Sequence, residues 1–148
     1  MKKILICLLL IFFICGCTNT SIEKEEYLNY IEELKKVKES SKEYPFNIEI
    51  RYDQITKKEI RYQVILDEVK EDITDITMIC YHNKETEDIY PSIGIFDDKE
   101  SLLKDKKPSG LILVGYIPYE KDLKITMKVL VKYKINNKEY KKYYISKK

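Results

Sequence analysis

From residue 46 onward, the apolar positions of this chain recur every second residue. Phe46, Ile48, Ile50 and Tyr52 alternate with Asn47, Glu49 and Arg51, as in a strand with one face buried and one in water. Ile60, Tyr62, Val64 and Leu66 repeat the pattern, with Ile65 as an apolar exception. Ile76, Met78 and Cys80 continue it after an acidic turn region, residues 67–75, and a weaker strand covers residues 88–96. A polar loop ending in Pro108-Ser109-Gly110 leads to residues 111–117, which are apolar on both faces apart from Gly115 and Tyr116. Such a run is expected of a central strand. Leu123, Ile125, Met127, Val129, Val131, Tyr133 and Ile135 then hold every odd position, and Leu130 is the one apolar breach among the even ones.

Asn136-Asn137 tolerates a left-handed backbone and predicts a hairpin into residues 139–146. Two registers fit. A two-residue loop aligns Tyr140 and Tyr144 with the buried face, and a three-residue loop aligns Tyr143 and Ile145.

Ahead of the strands the period changes. Tyr27, Tyr30, Ile31, Leu34 and Val37 recur at helical spacing on one stripe. Thr20 with Glu23 has the form of a capping box, Glu32 and Lys36 stand at i,i+4, and Ser40-Ser41 and Pro45 end the element. One amphipathic helix is therefore expected over residues 21–43. Its stripe needs a partner, first of all the following domain.

Seven strands joined by short turns, with no second helix for a parallel crossover, predict a mainly β fold. The expected architecture is a seven-stranded antiparallel sandwich preceded by one amphipathic α-helix. Over residues 46–146 this layout resembles immunoglobulin-like and fibronectin type III-like modules of bacterial surface lipoproteins. The buried Trp and paired cysteines of antibody domains are absent. The resemblance thus implies an Ig-like architecture and transfers no functional residue.

The amino-terminal segment is different in kind. Lys2 and Lys3 precede an unbroken apolar run over residues 4–14, and Cys15-Gly16-Cys17 and a polar stretch come next. A positive start, a short apolar core and a small residue at the processing point make an export signal. The run is short of the ~20 residues that span a bilayer. Ile14, Gly16 and Cys17 resemble the lipobox of bacterial lipoproteins, with Cys15 where Ala or Ser is more usual. The resemblance implies cleavage after Gly16 and a diacylglyceryl group on the Cys17 sulfur. The expected organisation is a signal peptide at 1–16, lipidated cysteine, tether and helix at 17–43, and the β-sandwich domain at 44–148.

Charge and cysteine narrow the field further. The formal net charge of +2 belongs to Lys2 and Lys3, and residues 17–148 carry 25 basic and 25 acidic side chains. A neutral mature chain argues against nucleic acid as partner. The balance is uneven: residues 44–120 hold 16 acids and 10 bases, and residues 121–148 hold 2 acids and 10 bases. Strand-borne lysines keep an edge wet and unpaired; contact with anionic envelope polymers or lipid headgroups is the sharper alternative. Cys80 alone lies within the domain, so no internal disulfide is expected, and its apolar run makes it a small buried hydrophobe.

Candidate chemistry is sparse. His82 is the sole histidine and has no nucleophile motif beside it. Gly94, Gly110 and Gly115 form no phosphate loop. Asp67, Glu68, Glu71, Asp72 and Asp75, then Glu85, Glu87 and Asp88, cluster between strands. Their spacing matches no calcium motif, so solvated turns are expected, with no metal and no cofactor, and a calcium-binding loop is the competing reading. Thirteen tyrosines and no tryptophan stand out. Tyr116 and Tyr119 flank Pro118, and Tyr140, Tyr143 and Tyr144 sit among lysines, a mixture that serves either a small core or a glycan- or protein-binding face.

The expectation is a non-catalytic, lipid-anchored module on the extracytoplasmic face of a bacterial cell membrane. Its partners would be the membrane, through Cys17, and a cell-envelope protein or polymer. An inhibitor or protective factor, and a carboxylate-based enzyme, are the competing readings.

Overall fold

The period-two segments pair into two antiparallel sheets stacked face to face, and the helix lies on the outside of the larger one. The computed structural model describes residues 18–84, 89–106 and 110–148. Residues 1–17, and with them Gly16 and Cys17, lie outside the described residues, as do Glu85, Glu87 and Asp88. The elements are α1 (Thr18–Lys36), β1 (Asn47–Gln54), β2 (Glu59–Asp67), β3 (Ile73–His82), β4 (Ser92–Ile93), β5 (Glu100–Leu102), β6 (Gly110–Pro118), β7 (Thr126–Ile135) and β8 (Lys138–Lys147). One sheet has the order β1-β2-β6. The other has β4-β3-β7-β8, with β5 also on β3.

The inward rows are the alternating ones. Tyr62, Val64 and Leu66 of β2 meet Ile76, Met78 and Cys80 of β3 and Met127, Val129, Val131 and Tyr133 of β7 in one core. Ile48, Ile50 and Tyr52 close it beneath β1. The Asn136-Asn137 turn takes two residues, with Ile135 opposite Lys138. Both asparagines have positive φ, 49° and 63°, as the primed turn of a two-residue hairpin requires. Tyr140 and Tyr144 therefore face the core, and Tyr143 faces out.

A second core joins helix to sheet. Tyr27, Tyr30, Ile31 and Leu34 pack on Ile79 of β3 and Leu130 of β7, beside Ile95. Leu130, the breach in the strand pattern, is fully buried there. Polar contacts hold the helix at this angle. The Tyr27 hydroxyl accepts from the Tyr90 N–H at 2.8 Å, and Glu33 accepts from Lys141 at 3.1 Å and from the Tyr143 hydroxyl. Lys128 Nζ donates to the carbonyls of Lys35 and Val37 at 2.9 and 2.7 Å. A cation thus satisfies carbonyls that the last helical turn leaves open, where the helix dipole favours positive charge.

Several boundaries differ from the sequence pattern, each for a local reason. The described residues form eight strands and not seven, because Leu102 turns into the core and brings Glu100–Leu102 onto the edge of β3. The expected strand over 88–96 shrinks to Ser92–Ile93. Gly94 ends it with φ of 73°, its N–H donating to Asp97 Oδ1 at 2.6 Å, and a Cβ there would run into the Ile76 carbonyl. β3 begins at Ile73, inside the expected acidic turn, and carries a bulge in which Asp75 has φ of 52°.

β6 is an edge strand and not a central one: Leu113 and Ile117 face the core, while Ile112, Val114 and Tyr116 face out. The helix runs from Thr18 to Lys36, so Thr20 is no cap, and Glu32 pairs with Lys35 at 2.6 Å in place of Lys36. It stops short of residue 43 because Ser40, Ser41 and Tyr44 bond instead to β8, through Ile145 N–H, Tyr143 N–H and the Tyr143 carbonyl.

Leu34 has no exposed surface and anchors the helix to the sheet. Leu34→Ala is expected to destabilise the fold by about 2–5 kcal/mol, the cost of a buried leucine cavity, measured by denaturant unfolding. Loss of less than about 1 kcal/mol would mean the helix contributes little to the folded domain.

Candidate functional site

Where the β7–β8 hairpin tip meets the start of β1 and the β2–β3 turn, the sandwich end opens into a cleft of about 810 Å³. Its wall is aromatic: Tyr44, Phe46, Tyr133 and Tyr140. These rings touch in series. Tyr44 and Phe46 centroids are 5.8 Å apart, Phe46 meets Tyr133 edge-on at 5.5 Å, and Tyr133 stacks on Tyr140 at 5.7 Å with a 16° tilt. Lys42, Lys70 and Lys142 line the cleft, against Glu43 and Glu71. Lys138, outside that lining, holds its ammonium 5.4 Å from the Tyr140 ring centre.

Backbone geometry places these groups. The turn at Asn136-Asn137 fixes the hairpin register, which puts Tyr140 opposite Tyr133 and turns both inward. Lys70 is tied down by its own backbone, whose N–H donates to the Pro45 carbonyl at 2.7 Å, while its Nζ donates to the Tyr44 carbonyl at 3.0 Å. Burial pushes the Tyr133 hydroxyl up to about 12, so it stays protonated and a donor at neutral pH. Phe46 and Tyr133 are buried in the core, so the half-buried Tyr44 and Tyr140, beside ammonium groups, are the rings that can meet a flat ligand carrying negative charge.

The tyrosines grouped together by sequence separate in space. Tyr140 lines the cleft, Tyr144 lies at the core and packs edge-on near Tyr44 at 6.2 Å, and Tyr143 goes under the helix. Tyr44, Phe46, Lys42 and Lys70 carry no sequence signal of a site; no local spacing joins them to Tyr140, because the sandwich end gathers three separate segments.

The acidic residues scatter too. Asp67 accepts from Asn47 at 2.9 Å, Asp72 accepts the Lys104 N–H at 2.9 Å, and Asp75 pairs with Lys134 at 2.6 Å. That pairing holds the Asp75 carboxyl below its ordinary range. Among the described residues no three His, Cys, Asp or Glu side chains converge on a point that could hold a metal ion.

His82 lies at the other end of β3, 1% exposed, edge-on to Tyr62 at 5.3 Å and to Tyr90 at 5.0 Å. Its Nδ1 accepts from the Lys84 N–H at 3.3 Å. Cys80 beside it is fully buried, with Sγ 3.4 Å from the Tyr62 hydroxyl, and burial pushes the thiol up to about 12. A thiol held protonated is a packing group and no nucleophile at neutral pH.

No protein-family model matches the chain, and neither a curated protein nor a solved structure matches it. Among the described residues no helix is long and apolar enough to cross a membrane.

Burial holds the His82 imidazole below its ordinary value of 6.5. The folded state then resists a proton that the unfolded chain accepts, so stability is full above that value and declines as pH falls through it. Melting temperature is expected to drop between pH 7 and pH 5, with a slope of at most about 1.4 kcal/mol per pH unit. The low-lying Asp75 titrates below this window. The slope should vanish in His82→Gln; an equal slope in that variant would assign the effect to other groups.

Proposed function

We propose that this protein is a non-catalytic binding module, lipid-anchored on the extracytoplasmic face of a bacterial cell membrane. Its ligand is an anionic envelope polymer built of sugar rings, taken up in the aromatic cleft. The observation that carries the reading is the convergence of the half-buried Tyr44 and Tyr140 with Lys42, Lys70 and Lys142 in one open cleft. Ring faces stack on the apolar faces of sugars, and ammonium groups attract phosphate or carboxylate. Asp67, Asp72 and Asp75 are taken up in separate contacts, while Glu43 and Glu71 line the cleft itself.

The sandwich belongs, on this proposal, to the immunoglobulin-like class. Strand grouping supports it. With β4 and β5 taken as two pieces of one edge strand, the first, second and fifth strands form one sheet and the third, sixth and seventh the other. That is the A-B-E and C-F-G division of immunoglobulin domains, except that the fourth strand pairs with the third and not with the fifth.

The anchor is Cys17, by its resemblance to a lipobox. Thr18, the next residue, already opens α1, and α1 is docked on the sheet. A lipid on Cys17 would therefore be joined to the domain through α1, whose docked side chains are Tyr27, Tyr30, Ile31 and Leu34. Two or more acyl chains hold a protein stably at a bilayer where one does not.

Cys17→Ala is expected to move the chain from the membrane fraction to the soluble fraction and to abolish incorporation of labelled fatty acid. Retention in membranes without label would overturn the lipid anchor.

For the cleft, the full chain in detergent micelles is expected to bind phosphorylated dextran more tightly than plain dextran, with affinity falling as salt rises. Tyr140→Ala and Lys142→Ala should each weaken that binding about fivefold to tenfold, near 1 kcal/mol, as read by titration calorimetry. Equal affinity for both dextrans, or full affinity in both variants, would remove the cleft as the site.

A further inference from the structure

The two sheets have four kinds of edge, and three are closed to further pairing. The outer edge of β8 is occupied by the segment after the helix, through Ser40, Ser41 and Tyr44. β1 carries charge on its outward row, with Glu49 and Arg51 paired at 2.7 Å and Asp53 beyond them. β4 and β5 are two and three residues long. Charge, brevity and a covering segment are the means by which edge strands avoid pairing.

β6 has none of them. It is nine residues long, Gly110–Pro118, without a charged side chain or a bulge against β2. Among the described residues no backbone hydrogen bond reaches it from the side away from β2. Its outward row is apolar and open, with Ile112 52%, Val114 38% and Tyr116 52% exposed. Pro118 blocks a donor only at the last position.

We propose that β6 is a pairing edge and that its occupant is β6 of a second copy of this chain. The two strands run antiparallel about a two-fold axis, giving a continuous six-stranded sheet in the order β1-β2-β6-β6-β2-β1. The strand is complementary to itself. An axis through Val114 pairs all nine residues and keeps both outward rows on one side of the sheet. Val114 then faces Val114 of the second copy, and Ile112 faces Tyr116. Branched and aromatic side chains opposite one another are favourable cross-strand neighbours. No like charges meet, whereas self-pairing of β8 would set lysine rows against each other.

Pairing through one strand buries little beside the ~1,200 Å² of a stable soluble dimer. It becomes populated where copies share one surface at high effective concentration, and in that respect it rests on the lipid-anchored reading.

The test uses the full-length chain in its membrane, with single cysteines placed on the outward row. Opposed Cβ atoms lie about 5 Å apart across an antiparallel pair, and a four-residue offset adds about 14 Å. With a short bifunctional thiol reagent, Val114→Cys is expected to give mainly a crosslinked species of twice the chain mass. Ile112→Cys co-expressed with Tyr116→Cys should crosslink, and Ile112→Cys alone should stay at the background set by the unsubstituted chain. Val114→Cys at background overturns the proposal, as does Ile112→Cys alone crosslinking as strongly as the mixed pair. An adduct of another mass overturns the second copy as occupant. Fractionation of the same samples reads the anchor separately. Chain found in the soluble fraction sinks the anchor, and the same crosslink pattern, read on that fraction after concentration, then decides the pairing.

Discussion

The fold depends on β3 and β7 being buried on both faces. Their inward rows, Met78 and Cys80 beside Met127, Val129 and Val131, fill the space between the sheets. Their outward residues Ile79 and Leu130 fill the space beneath α1. A strand in an antiparallel sheet commonly keeps one face in water, so apolar residues on the outer face need a cover. Here the helix supplies it, and the polar contacts at Tyr27, Glu33 and Lys128 fix where it lies. Remove the cover and Leu130 becomes an apolar residue in a row of lysines.

The same docking directs the chain beyond the helix. Because Lys128 holds the carbonyls of Lys35 and Val37, the chain leaves α1 beside β8. Ser40 and Ser41 can then bond along its outer edge. Tyr44 and Phe46 arrive at the hairpin end, where they meet Tyr133 and Tyr140. Helix, edge cover and aromatic cleft are thus consecutive results of one packing arrangement. The described chain spends its ionisable groups on structure as well: Cys80 and His82 are buried, and Asp75 holds a bulge against Lys134.

Two surfaces remain without an internal duty. One is the cleft, where the half-buried Tyr44 and Tyr140 stand beside Lys42, Lys70 and Lys142. The other is β6, the long edge without charge or cover. They lie on different parts of the chain, so a chain paired through β6 would keep the cleft lining from residues 42–46, the β2–β3 turn, β7 and β8 intact.

Much of the fold is legible in the residues. The period of two marks the strands, the helical stripe names the four side chains that α1 buries, and Asn136-Asn137 announces the hairpin. These signals are local, because side-chain direction follows from backbone period. The exceptions, Ile65 and Leu130, are visible as exceptions only; what covers Leu130 is a helix about a hundred residues earlier in the chain. The short strand β5 is hidden because its pairing depends on β3 and its own residues alternate too briefly to show it, while β4 is legible only as a longer strand over 88–96. The edge position of β6 is hidden for a related reason: an apolar run looks the same whether a neighbour covers it or not. The cleft is legible only as Tyr140 among lysines. By itself the sequence determined element type, the inward rows, the neutral balance of residues 17–148 and a segment at Cys17 that resembles a lipobox. Only the tertiary structure decided which strand is an edge, which face the helix protects and which aromatics meet, because each depends on contacts between segments far apart in the chain.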